Sequence, residues 1–381
     1  MKLSELQGPL SGRADAGLEE VVDRLDRLLS ADPDLSIQIA AYVDGQLALD
    51  AYGGPHLGRD SLIVPYSTSK NIIGVSVGLL VERGLLDLDA TVASYWPEFG
   101  QAGKERVTVR QLLSHQAGLP EAQPGLAWDE LLDHHKGAER LAATRPLWHP
   151  GSAFGYHGLT IGNLAAELVF RITGRTLHDF YEEEIRRPLG AAFYLGLPEG
   201  QGLEERRVDV LPMIPPLGEH PKPQGPPHAM QRLTFGPRPG APVHLANDEQ
   251  SWRFGHPAGS ATADALGIAT LLAAAVTGVE GSAPLLSPDT VATVGQQQVR
   301  GYDEVLDQHD RAHAVIFQKP SKQLAWGGPR SIGHDGACGS LGCVDPDTGV
   351  AFGYTIARGP WPGGADPRAV EVARTIGDLM A

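Results

Sequence analysis

Two short apolar segments, residues 36–41 and 47–52, are separated by Val43-Asp44-Gly45. Asp-Gly between strand-like runs is a strong signal for a tight antiparallel hairpin. Near the other end of the chain, Gly342 to Asp345 and Val350 to Ile356 flank a second turn, Pro346-Asp347-Thr348-Gly349. Both ends are therefore sheet-forming, and helical patterns stand beside them. Residues 17–30 set Val21, Val22, Leu25, Leu28 and Leu29 at helical spacing, with acids early and arginines later, as the helix dipole prefers. Residues 368–380 read as a closing helix. The middle is different: Leu112-Leu113, Leu131-Leu132, residues 159–172 and residues 263–276 read as helical pieces joined by Gly- and Pro-rich loops.

The expected fold class is α+β, an antiparallel sheet flanked by helices and built from both chain ends, with an inserted, mainly helical domain. The expected boundaries are 1–95 with 325–381 for the sheet domain and 96–324 for the insertion. Ten prolines fall between Pro212 and Pro242, so 212–242 reads as an ordered irregular loop of the kind that forms a lid or pocket wall.

At 381 residues the chain can bury a large core without metals or disulfides. Its formal net charge of −15 repels phosphate backbones and anionic lipid, which argues against nucleic acid and membrane surfaces as partners. The apolar run around Ile72 to Leu80 is well short of the roughly 20 residues that cross a bilayer. Only Cys338 and Cys343 are present, and no apolar signal segment follows Met1, so a cytoplasmic protein with free thiols is expected. Nothing in the sequence points to an oligomer.

The chemistry starts at Ser67-Thr68-Ser69-Lys70, which precedes the apolar run. If Ser67 opens a buried helix, Lys70 lies one turn on, with its amine in hydrogen-bond reach of the Ser67 hydroxyl. A lysine among apolar neighbours loses hydration, its pKa falls, and the neutral amine becomes a usable base. The bland alternative is an N-cap serine followed by a surface lysine. Gly74-Val75-Ser76-Val77-Gly78 also fits the G-x-S-x-G nucleophile elbow. That reading needs a sharp turn at Ser76 and leaves Ser67 and Lys70 without a role. In a helix, Gly74 and Gly78 instead share one face and admit a close neighbour, so Ser76 is read as structural.

Further motifs accompany Ser67 to Lys70. They are Thr108 to Leu119 (TVRQLLSHQAGL), Trp148-His149-Pro150-Gly151, Phe154-Gly155-Tyr156-His157-Gly158, Pro257-Ala258-Gly259 and Gly333-His334-Asp335-Gly336. Together they resemble the class C β-lactamase-like and penicillin-binding-protein-like serine hydrolases, in particular their esterase branch, the family VIII carboxylesterases. The resemblance runs from about Ser36 to the C-terminus and leaves the proline-rich loop and residues 299–322 unanchored. It implies Ser67 as the acylated nucleophile, Lys70 and Tyr156 as the proton-passing groups, and the backbone amides of Ser67 and Ala337 as the oxyanion hole. A phenol beside an ammonium is expected to have its pKa drawn down.

Departures from the family pattern bear on substrate. His334 stands where the lactamases carry a lysine, and Gly158 where they carry an asparagine, which points to esters without an obligatory anion. His334, Gly336, His157, Trp148, Phe154, Trp252 and Cys338 are the expected substrate-binding residues, with Trp326 a further possible part of an aromatic wall. No cofactor is expected. No metal is expected either, since His309/His313 and His134/His135 lack a metal-binding frame. The expected function is a serine carboxylesterase acting on small-molecule esters. An amidase, peptidase or transacylase with weak β-lactamase activity, a silent acyl-binding relative, and a hydrolase using Ser76 are the alternatives.

Overall fold

The computed structural model describes residues 2–216, 229–242 and 244–380. Its centre is a seven-stranded antiparallel sheet. In chain order the strands are β1 (Leu3–Glu5), β2 (Ser11–Asp15), β3 (Ile37–Val43), β4 (Gln46–Gly53), β5 (Ile332–Asp335), β6 (Leu341–Asp345) and β7 (Val350–Ile356). Their spatial order is β1-β2-β4-β3-β7-β6-β5. The two hairpins meet at the sheet centre, where β7 pairs antiparallel with β3 from Val350 opposite Val43 to Ile356 opposite Ile37. The turn between β3 and β4 puts Asp44 and Gly45 in left-handed backbone, at φ 46° and 73°, which Asp-Gly tolerates well.

Alternation along β3 splits the core in two. Ala40 and Tyr42 join the larger core on one face. Ile37, Ile39, Ala41 and Val43 join the other, with α1 (Glu19–Ala31) and the C-terminal helix Pro367–Met380. On the first face lies the helix Ala265–Val276, against β7 and β3. It comes so close that a Cβ on Gly353 would stand 2.1 Å from the carbonyl oxygen of Ala265. Beyond it lies the helix Lys70–Glu82, followed by the helix Thr160–Thr173.

Two expectations need correction. The first element is not the amphipathic helix, because β1 and β2 precede it. β1 is the edge strand and β2 lies next to it, and with one buried residue between them, Ala14, they carry no apolar alternation to read. The proline-rich stretch is not wholly irregular either: Ala229–Phe235 is helical, in the longest proline-free run of that stretch. Residues 217–228 of the loop lie outside the described residues. Among the described residues no helix is long and apolar enough to cross a membrane.

Candidate active site

Ser67 sits in a tight helical turn, Tyr66–Ser69, that feeds directly into the helix Lys70–Glu82. The turn is pinned from several sides. The Ser69 hydroxyl donates to the Tyr66 carbonyl at 2.6 Å, and the Ser340 hydroxyl donates to the Pro65 carbonyl at 2.6 Å. Tyr66 is held at φ 49°, a left-handed conformation costly for a bulky residue, immediately before the serine. Ser67 itself remains partly exposed.

One turn on, Lys70 is fully buried. Its Nζ donates to the Ala258 carbonyl at 2.7 Å and lies 3.1 Å from Ser67 Oγ. Burial pushes the amine well below its ordinary value, opposed only by the field of Asp335. A neutral amine has one lone pair, and with one hydrogen given to Ala258 the serine hydroxyl is placed to use it. Nine residues beyond Ser67, Ser76 is fully buried inside the helix with no hydrogen-bond partner. Gly74 and Gly78 face Phe317 and Leu286, which a Cβ would meet at 2.3 and 2.9 Å. There is no elbow there.

Tyr156 reaches the same point from a distant segment, its ring centroid 4.9 Å from Lys70 Nζ. The phenol departs from expectation: burial drives its pKa upward, and a hydrogen bond toward the Ser67 side chain opposes that only in part. The burial that lowers the Lys70 amine disfavours the ammonium that would draw the phenol down. His334 donates from Nδ1 to the Asp335 carbonyl at 2.7 Å, which leaves Nε2 as an acceptor 3.5 Å from the Tyr156 hydroxyl.

Two cavities meet at Ser67, and both are also lined by Ala337 and Phe235. One, of about 590 Å³, has Tyr66, Trp128, Leu159, Phe235 and Leu245 in its walls. The other, of about 530 Å³, is walled by Tyr156, Gln308, Arg311, Gln318, Gln323 and Asp335. Gly158 belongs to the first, and a Cβ there would collide with the Phe235 ring at 2.4 Å.

None of the seven residues expected to touch substrate is in the lining of either cavity. His157 is fully buried, donating from Nδ1 to Gly155 and accepting from the Leu119 amide at Nε2, so both ring nitrogens are spent on the protein. Trp148 donates to the Gln116 carbonyl and packs on His157. Phe154 is buried against His313. Trp252 lies in a separate small core between the guanidinium groups of Arg207 and Arg253, and Trp326 lies in the core on the far face of the sheet. Gly336 is a close-approach residue whose missing Cβ leaves room for the Pro65 carbonyl. Cys338 stands behind Tyr66, whose phenol it contacts. His334 is buried behind Tyr156. Of the two thiols, both free, Cys343 is buried in β6.

Other residues at the site were given no role from the sequence, although His115 lies within the Thr108 to Leu119 motif. Asp303, fully buried, accepts the Tyr156 amide at 3.0 Å as well as the amides of Val305 and Leu306, and so fixes the backbone of the phenol. His313 stacks on Tyr156 at 6.1 Å, and His115 approaches it at 5.1 Å. The signal for Asp303, Arg311 and His313 was a short strand pair, Val299–Asp303 with Gln308–His313, inside the stretch that matched nothing.

A serine with a buried lysine at its hydroxyl, a phenol alongside and cavities opening on the pair, on this sheet and these helices, defines a serine hydrolase of the β-lactamase-like fold. The Beta-lactamase family model matches residues 25–375, and the chain belongs to that family. It is 31% identical over 338 residues to the esterase/beta-lactamase LipL of Mycobacterium tuberculosis, covering 84% of this chain and 76% of that protein. Among solved structures it is similar to EstA from Arthrobacter nitroguajacolicus, with TM-score 0.89 and 38% identity over 100% of this chain and 99% of that one. A family VIII carboxylesterase superimposes with TM-score 0.86 and 28% identity over 97% and 99% of the two chains.

Proposed function

We propose that the protein is a serine carboxylesterase that hydrolyses small to medium esters through an acyl-enzyme on Ser67. The observation that carries this is the 3.1 Å approach of the fully buried Lys70 amine, its basicity lowered by burial, to the Ser67 hydroxyl where two cavities meet. Ser67 Oγ attacks the ester carbonyl carbon while its proton passes to Lys70 Nζ. The developing oxyanion faces the backbone amides of Ser67 and Ala337, donors of a kind worth roughly 3 to 4 kcal/mol each. Collapse breaks the bond to the alcohol, and its alkoxide takes a proton from the Lys70–Tyr156 pair. The phenol, held protonated by burial, is suited to give that proton. Water then attacks the acyl carbon and gives a proton to the same pair, and as the bond from that carbon to Ser67 Oγ breaks the pair returns a proton to Oγ and the carboxylic acid leaves. Asp303 and His334 keep Tyr156 in place rather than touching substrate.

The test is hydrolysis of p-nitrophenyl butyrate by wild type, Ser67→Ala and Ser76→Ala. Ser67→Ala is expected to lower kcat by about a thousandfold or more. Ser76→Ala is expected to keep turnover within a few-fold of wild type, as roughly neutral changes away from the reacting atoms do. Retained activity in Ser67→Ala overturns the proposal.

A further inference from the structure

We propose that Arg311 makes this site selective for monoanionic esters, by binding a carboxylate in the half of the substrate that fills the 530 Å³ cavity. This rests on the acyl-enzyme reading above and names its substrate class.

Arg311 lies on the strand Gln308–His313 and is only 6% exposed, yet it lines the cavity that contains Ser67 and Tyr156. Among the described residues its guanidinium makes no hydrogen bond and no ion pair. The buried guanidinium of Arg238, by contrast, is paired with Glu121. A guanidinium that faces a cavity without a protein acceptor leaves its donors to solvent, and a ligand that supplies a planar acceptor there takes the place of that water. Two acids stand near it, Asp303, whose carboxyl feels the Arg311 charge, and Asp335 on the same cavity wall, and both have backbone partners of their own. Asp303 is enclosed by backbone amides, and Asp335 accepts the Ala365 amide at 3.0 Å.

The group that fits is planar and negatively charged. Five donors in a rigid fork match a carboxylate in two-pronged fashion. Gln318 adds to this: its Oε1 accepts from the Asp335 amide at 3.2 Å, so its NH₂ is the end left for a ligand. His334 is buried with its pKa lowered and supplies no cation, so among the described residues lining this cavity the positive charge comes from Arg311. Asp335 on the same wall disfavours a second negative charge, which limits the ligand to one. This proposal departs from the sequence expectation of esters without an obligatory anion, because the cation it invokes sits on a strand that no motif marks.

The experiment compares three esters on wild type, Arg311→Gln and Arg311→Lys. They are neutral p-nitrophenyl butyrate, mono-p-nitrophenyl glutarate with the carboxylate on the acyl side, and 4-butyryloxybenzoate with it on the alcohol side. One of the two anionic esters is expected to have the lowest KM, and which one assigns the cavity to the acyl or the alcohol half. Arg311→Gln is expected to raise that KM about 10- to 100-fold with kcat little changed, while p-nitrophenyl butyrate moves by about twofold at most. Arg311→Lys is expected to recover part of the loss. Calorimetric binding of the same esters to Ser67→Ala protein needs no turnover, and it keeps this inference separable from the acyl-enzyme reading. The proposal is overturned if neither anionic ester is preferred in turnover or binding. It is equally overturned if Arg311→Gln lowers kcat alike on charged and neutral esters, since Arg311 would then act through Asp303 and Tyr156 alone.

Discussion

Among the described residues two lysines are fully buried, Lys70 and Lys104, and they are nearly alike in surroundings. Lys104 Nζ donates to the carbonyls of Gln101 and Thr144 at 2.9 and 2.7 Å and stands 5.4 Å from the Phe99 ring. Lys70 Nζ donates to the carbonyl of Ala258 at 2.7 Å and stands 4.9 Å from the Tyr156 ring. Burial lowers both amines, Lys104 to about 8 and Lys70 further. They differ in the remaining partner. A carbonyl can only accept, so two of them hold Lys104 as a donor and give it nothing to exchange. Lys70 has a hydroxyl there, 3.1 Å away, which can hand over its proton. Ser67 also opens on two cavities, whereas Lys104 lines neither. Burial beside an aromatic ring is thus not what marks a base. A partner that can return a proton, in reach of a ligand, is.

The sharpest way to break this comparison is Lys70→Ala. If the hydroxyl is activated by that amine, kcat on p-nitrophenyl butyrate falls about 10³- to 10⁴-fold while the fold persists by circular dichroism. Activity within tenfold of wild type would make Lys70 another structural lysine and leave the base to be found elsewhere.

How much of this could be read in advance follows from which interactions are local. Ser67 and Lys70 belong to one turn of one helix, so their three-residue spacing already fixed the reach between hydroxyl and amine. The hairpins were legible for the same reason, each being set by its own turn residues. Tyr156 was found through a short motif, but the direction of its pKa shift was not, because that depends on how completely distant segments bury the phenol itself. The walls of the cavities were beyond reach. Trp128 and Phe235 come from separate insertions, and residue type alone does not say which core an aromatic joins. Trp148, Trp252 and Trp326 looked equally suited to a pocket wall, yet they fill three different packing sites. Asp303 and Arg311 act across strands of irregular register, and no spacing rule links them to Ser67.

A smaller effect is expected from Lys104→Met. The substitution keeps the volume but strands the carbonyls of Gln101 and Thr144, so stability falls by about 1 to 3 kcal/mol in urea denaturation at neutral pH. The kcat/KM should stay within about twofold of wild type, as for other residues remote from the reaction. A large loss of activity with unchanged stability would erase the distinction between the two lysines.

The two amines are also separable by pH. Activity requires Lys70 unprotonated, so kcat/KM should rise with pH along a limb whose midpoint lies well below 10.5, and Lys104→Met should leave that limb unmoved. Stability responds to Lys104 in another window. Its folded pKa of about 8 lies below the ordinary 10.5, so between these values the unfolded chain binds the proton that the folded chain has released. Stability therefore increases with pH across that interval, and the penalty for burying the charge is fully present only below it. Lys70 contributes with the same sign in both proteins and cancels in a comparison. The difference in urea stability between wild type and Lys104→Met should thus widen in favour of wild type from pH 8 to 10. A difference that stays flat across this range would mean that Lys104 keeps its ordinary basicity in the fold, and that burial alone does not move an amine held by two carbonyls.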